Sequence, residues 1–140
     1  MAASTVVLHF AMTSPPKVRA LARAFAHGLG LQNVAVEVLD GDSQLISGMA
    51  RYSCITIIVE TNVWGKMPVK LDTFFQRAGM LNGIRCYVYV ARQLIGGRYA
   101  LNDLVTLMEK HGMKVRNFGL LPSEKAAEQA GASCRIEHDR

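Results

Sequence analysis

The sequence predicts an α/β fold, a three-layer sandwich with a five-stranded parallel sheet of order 2-1-3-4-5 between helices. Three observations predict it. Short apolar runs rich in β-branched residues (TVVLHFA, CITIIVE, IRCYVYVA) alternate with stretches of helical period such as KVRALARAFAHGL. The connections between them are short. Strand–helix–strand crossovers are right-handed, which forces the strands parallel and places helices on both faces.

The elements follow in order. Thr5–Ala11 is continuously apolar but for one His and too short for a helix, as expected of a central strand buried on both faces. From Pro16 the period changes: Val18, Leu21, Ala22, Phe25 and Leu29 share one face, with Lys17, Arg19 and Arg23 opposite. Gly28 and Gly30 mark the end of this helix. Asn33–Leu39 alternates and runs into Asp40-Gly41-Asp42, which reads as an edge strand and a turn. Ser43–Arg51 reads as a short helix and Cys54–Glu60 as the clearest strand. The loop Thr61–Pro68 leads into a helix over Val69–Ala78 with Leu71, Phe74 and Phe75 inward. Gly83 precedes a fourth strand, Ile84–Ala91. The loop Arg92–Gly97 opens a helix over Arg98–His111 that buries Leu101, Leu104, Val105 and Met108, with Gly112 at its end. Lys114–Leu120 is the fifth strand. Pro122–Ala130 reads as a last helix, with Glu124 in its first turn. The expected organisation is one domain over 1–131 and a tail over 132–140.

Composition narrows the function classes. A chain of 140 residues, half of them hydrophobic, can bury a real core. The net charge of +5 is spread along the chain and accompanies no nucleic-acid recognition motif, so nucleic acid is not the expected partner. The cysteines, Cys54, Cys86 and Cys134, are odd in number and far apart. Cys54 and Cys86 open apolar runs and read as buried, inert thiols of a reducing compartment. No run approaches the roughly 18 apolar residues of a membrane span, and no basic flank precedes the first apolar run. A cytoplasmic protein is the expectation. Oligomeric state leaves no signal in the sequence.

In a sheet of this order, ligands sit beyond the carboxyl ends of the strands that flank the switch in strand order. Three loops meet there. Met12–Pro16 offers Thr13, Ser14 and Lys17 around a helix start, as a phosphate cradle or, in the plainer reading, with Ser14 as a helix cap. Thr61–Pro68 carries the single tryptophan, Trp64, beside Asn62 and Gly65; an exposed indole calls for a cover, whether a flat ligand, a neighbour or a partner protein. Arg92–Gly97 ends in Gly96-Gly97 before Tyr99, where small residues let a ligand approach the backbone. Other chemistry lacks support. A receiver domain would need acidic residues after the first strand and an Asp ending the third, where this chain has Ala11-Met12 and Glu60. Asp40 follows no glycine-rich turn, so it reads as turn chemistry and not as a ribose ligand. His111 reads as a helix-end residue, and Cys134 with His138 is too sparse for a metal site. No nucleophile–base pair stands out.

HFAMTSPPKVRALARAFAHGL, VETNVWGKMPVKLDTFFQRAG and the stretch from Gly96 to Val115 together resemble the flavodoxin-like family. The last stretch leans toward its NAD(P)H:quinone reductase branch, and the unsplit Lys114–Leu120 toward its short-chain type. The resemblance implies noncovalently bound FMN, with Thr13, Ser14 and Lys17 at the phosphate. It places Thr61, Asn62, Val63, Trp64 and Gly65 along one face of the ring, and Ala91, Arg92, Gly96, Gly97 and Tyr99 along the other. It implies an electron carrier or an FMN-dependent oxidoreductase whose partner is a redox protein or a small molecule of the NAD(P)H or quinone type.

Two departures bear on that expectation. Ser14-Pro15-Pro16 replaces the family's glycine-containing phosphate turn, and each proline removes an N–H donor. Charge-assisted hydrogen bonds are worth roughly 1.5–3 kcal/mol each, so the loss of two weakens the expected FMN affinity substantially. The chain is also basic, whereas flavodoxin electron carriers are usually acidic. An interaction module of the same fold that has lost FMN is the alternative.

Overall fold

The structure is a computed structural model that describes residues 4–12, 14–32, 34–41, 49–61, 68–78, 81–91 and 97–134. Strand and helix alternate: β1 Ser4–Phe10, α1 Pro15–Gly30, β2 Ala35–Asp40, β3 Cys54–Val59, α2 Val69–Ala78, β4 Arg85–Ala91, α3 Gly97–Lys110, β5 Lys114–Leu121 and α4 Glu124–Ser133. The sheet order is β2-β1-β3-β4-β5, all parallel. Pairings such as Phe10↔Val59 and Val59↔Val90 bring the carboxyl ends of β1, β3 and β4 to one level. The fold class expected from the sequence is therefore the one observed. One irregularity was not legible: a register shift on β5, where Cys86 pairs with Val115 and Tyr87 with Asn117, leaves Arg116 as the extra residue.

Alternation along the central strands builds two cores. Val6, Leu8 and Phe10 of β1, Ile55, Ile57 and Val59 of β3 and Cys86, Val88 and Val90 of β4 point to the face covered by α2 and α3. Val7, Ile58, Tyr87, Tyr89 and Ala91 point to the opposite face, under α1 and α4. Phe74 of α2 packs edge-on against Phe10, and Phe25 of α1 tilts against Tyr89 with ring centroids 5.1 Å apart. Each such fully buried side chain contributes about 1.5–3 kcal/mol over exposure. This two-sided burial is why β1, β3 and β4 read as continuous apolar runs, while β2 and β5 at the edges do not.

The apolar faces of α1, α2 and α3 match their periodicity. Val18, Leu21, Ala22, Phe25 and Leu29 are buried, as are Leu71, Phe74, Phe75, Leu101, Leu104 and Met108. Gly28 and Gly131 serve a different end from helix termination: α1 and α4 cross on them. A Cβ on Gly28 would lie 2.2 Å from the Glu128 carbonyl oxygen, and one on Gly131 would lie 2.1 Å from that of Phe25. Gly112 does mark the end of α3, at a φ of 88° that side chains rarely adopt.

Two local expectations change. The helix expected over Ser43–Arg51 falls largely outside the described residues, and its described end is a 3-10 turn, Met49–Arg51. The last helix runs past Ala130 to Ser133, capped by Ser123, whose hydroxyl accepts from the Ala126 N–H at 3.2 Å. Cys134 follows it into the core and lies 3.3 Å from the Tyr89 hydroxyl. All three cysteines are free and buried.

Candidate functional site

The rim beyond β1, β3 and β4 is organised by Glu60. Its backbone N–H donates to the Phe10 carbonyl at 2.8 Å, one more rung after the last pair of β1 and β3. That rung anchors a side chain only 2 % exposed. Its Oε1 accepts two hydrogen bonds from the first loop, from the Met12 N–H at 2.7 Å and the Ser14 N–H at 2.9 Å. Those lengths suit N–H donors on a charged acceptor.

The other backbone N–H groups of the described residues at this turn are placed as follows. Pro15 and Pro16 have none. The N–H groups of Lys17 and Val18 both turn onto the Ser14 carbonyl, at 3.1 and 3.3 Å. Ser14 is the helix N-cap, but its side chain makes no capping bond, so the cap read from the sequence is corrected. The Glu60 carboxylate holds the N–H of Ser14 itself, at the positive end of α1. A serine directly before a helix gives a capping signal in sequence; a glutamate 46 residues away gives none.

The expected ligand-binding residues fall into three groups. Ser14, half-buried, belongs to the first loop and meets Glu60 through its N–H. Thr61 and Ala91 are fully buried at the ends of β3 and β4. Lys17 is exposed, Gly97 opens α3, and Tyr99 stands 79 % exposed in its first turn. Thr13, Asn62, Val63, Trp64, Gly65, Arg92 and Gly96 lie outside the described residues. The described residues thus bring the first loop to the end of β3, with Ala91 on the adjoining strand.

While that carboxylate is seated, the described part of the first loop offers a phosphate the Ser14 hydroxyl and the Lys17 ammonium but not the N–H groups of Met12 and Ser14. What it does display is two backbone N–H groups converging on one buried carboxyl oxygen.

Elsewhere the chemistry is sparse. An open groove of about 690 Å³ runs between α1 and α4, away from the rim, and mixes Arg19, Arg23 and Lys125 with Glu124 and Glu128. His111 sits directly after α3, its N–H on the Leu107 and Met108 carbonyls, and its ring stacks on Phe75 with centroids 4.6 Å apart. Burial pushes the thiols of Cys54 and Cys86 up to about 12 and raises that of Cys134, which keeps all three protonated at neutral pH. Among the described residues no three His, Cys, Asp or Glu side chains gather as a metal site, and no helix is long and apolar enough to cross a membrane.

No family model and no curated protein matches the chain in sequence. Solved structures do match in shape. A flavodoxin of Streptococcus pneumonia TIGR4 superposes with a TM-score of 0.71 over 93% of this chain and 99% of its own, at 15% identity. A two-electron reduced flavodoxin of Megasphaera elsdenii gives 0.69 over 91% and 99%, at 14% identity. The flavodiiron protein of Giardia intestinalis gives 0.68 at 16% identity; 93% of this chain covers 34% of that longer one. Strand order, layering and this near-complete overlap agree: the chain has the flavodoxin-like fold.

Proposed function

We propose that the chain is a flavin-binding redox protein, working as an electron carrier or as a small NAD(P)H-dependent reductase. The observation that carries this reading is the convergence of the Met12 and Ser14 N–H groups on one buried carboxylate oxygen. The turn after β1 directs two N–H groups at one oxygen despite Pro15 and Pro16, at the strand ends where this fold takes ligands. Overlap with flavodoxins described in reduced and oxidised forms supports a redox role. A bound flavin would supply the electron-transfer chemistry, and the chain would position it and exclude water. FMN is the flavin that the resemblance implies, and its phosphate would share the first loop with Glu60.

The interaction module that has lost FMN is the second reading. The same carboxylate favours it, because two backbone donors of the described first loop are already satisfied from within.

The purified protein should show the visible absorption of oxidised flavin, or quench the fluorescence of added flavin in proportion to its concentration. Trp64→Ala and Lys17→Ala should weaken that binding. A folded, colourless protein that quenches no flavin at any concentration would leave only the module reading.

A further inference from the structure

We propose that the open groove between α1 and α4 is a self-association face, which seats the same groove of a second copy of this chain across a two-fold axis. The inference stands apart from the flavin reading, because this face lies away from the rim.

The groove has walls of opposite charge. The two helices close on each other where Gly28 and Gly131 admit the facing backbone. Beside that crossing, residues 16–24 and 124–128 enclose the space of about 690 Å³. Arg19 and Arg23 line the α1 wall and Glu124 and Glu128 the α4 wall, all of them exposed. Each pair is one helical turn apart, about 6 Å along the axis. Yet no ion pair crosses the groove among the described residues. The one that joins these helices runs from Glu128 to His27, which does not line the groove, at 3.0 Å. Arg19, Arg23 and Glu124 thus have no charged partner among the described residues.

Symmetry decides how a second copy fits. α1 and α4 run the same way, since His27 meets Glu128 and, further along both, Gln32 meets the Cys134 carbonyl. A two-fold axis laid along the groove exchanges its walls and preserves their level. It therefore carries Arg19 and Arg23 of each protomer over Glu124 and Glu128 of the other, and the contacts repeat on both sides of the axis. An axis across the helices would stack α1 on α1 and set like charges together. Ala20 and Ala24 in the groove carry nothing beyond Cβ, so the second pair of helices can approach to about 8–10 Å.

Charge also selects the occupant. With Lys125, the lining holds three cations against two carboxylates. A strongly acidic partner would meet both carboxylates. A chain of net charge +5 meets its own copy with least repulsion on a face whose charges nearly cancel. One exposed ion pair contributes little, so the dimer should be weak and sensitive to salt.

The test is sedimentation equilibrium of the full chain. The wild type should form a reversible dimer, half-assembled at about 100 µM, whose association constant falls about tenfold or more between roughly 0.05 and 0.5 M salt. Arg19→Glu with Arg23→Glu, and separately Glu124→Arg with Glu128→Arg, should each sediment as monomer, since like charges then face each other. Mixed in equal amounts, the two variants should dimerise again, because each supplies the charge that the other has lost. Circular dichroism confirms that both fold. If the second does not, loss of the dimer in the first, together with the salt dependence, decides. A wild type that stays monomeric at about 1 mM overturns the inference, even if polyglutamate binds it and marks the groove as the seat of an acidic protein instead. So does a dimer that either variant leaves intact, or a mixture of folded variants that does not reassemble.

Discussion

Three glycines near the α1–α4 crossing should answer the same substitution with opposite signs. At Gly131 a new Cβ would sit 2.1 Å from the Phe25 carbonyl oxygen, more than 1 Å inside ordinary contact, and 3.1 Å from the Leu29 nitrogen. Both neighbours are helix backbone, which cannot swing aside as a side chain can. Gly131→Ala must therefore push α4 off α1, losing contacts around Phe25 and Ala127. Overpacking of this kind costs about 1–3 kcal/mol, and the gap it opens adds to that. The better helix propensity of alanine offsets roughly 1 kcal/mol, so the net loss should be about 1–3 kcal/mol. Gly28→Ala faces the mirror-image clash with Glu128 and should behave alike. Gly30 also lies in α1, but a Cβ there meets nothing within 4 Å. Gly30→Ala should gain up to about 1 kcal/mol. Urea unfolding followed by circular dichroism at constant m-value gives all three values. A stabilised or neutral Gly131→Ala would refute the crossing as drawn, since nothing short of a wider helix separation accommodates the added carbon.

The other predictions concern buried polar groups and caps. Cys54, Cys86 and Cys134 should resist a thiol reagent at pH 8 in the native protein and all react once it is unfolded. Because burial raises Cys54 and Cys86 from 9.0 to about 12, the folded state keeps protons that the unfolded chain releases above pH 9. Stability should then be level below pH 9 and fall as the pH climbs toward 12, a decline that Cys54→Ala reduces. Thr56 is fully buried on β3, and its hydroxyl has no hydrogen-bond partner among the described residues. Thr56→Val should therefore stabilise the protein by about 1 kcal/mol in urea unfolding; a loss of stability would mean that the hydroxyl is satisfied. Ser123→Ala removes the α4 cap and should cost about 1 kcal/mol in the same assay.

The sheet was legible because its signal is local. Parallel strands buried on both faces must be apolar at every position, so CITIIV and VVLHF declare themselves within a few residues. Connection length and handedness then leave few topologies. Helix contacts are less local. Gly28 and Gly131 look like helix ends, or like nothing, until the two helices are crossed, because what each excludes is the other's backbone. The β5 register shift likewise depends on its neighbour β4 and leaves no mark in KVRNFGLL itself. Ser123 could have been found: a serine directly before Glu124, ahead of an alanine-rich stretch, is a start signal with a mechanism.

The candidate site was legible only as a place. That the loops after β1, β3 and β4 share a rim follows from strand order alone. The chemistry of the rim turns on one side chain whose partners lie 46 and 48 residues away. In the sequence Glu60 is only the polar end of an apolar run, and glutamate at a strand end ordinarily reaches into solvent. Here the strand stops one residue short of it, and its backbone still pairs with Phe10. That extra rung holds the side chain beneath the first loop, too deep to leave, next to a turn whose prolines have surrendered their donors. Two N–H groups and one carboxyl oxygen then satisfy each other across the rim. The departure visible in the sequence, Pro15-Pro16, and the one that is not, Glu60, thus belong to one device. A loop with few donors can afford an internal anion, and an internal anion removes the need for more donors.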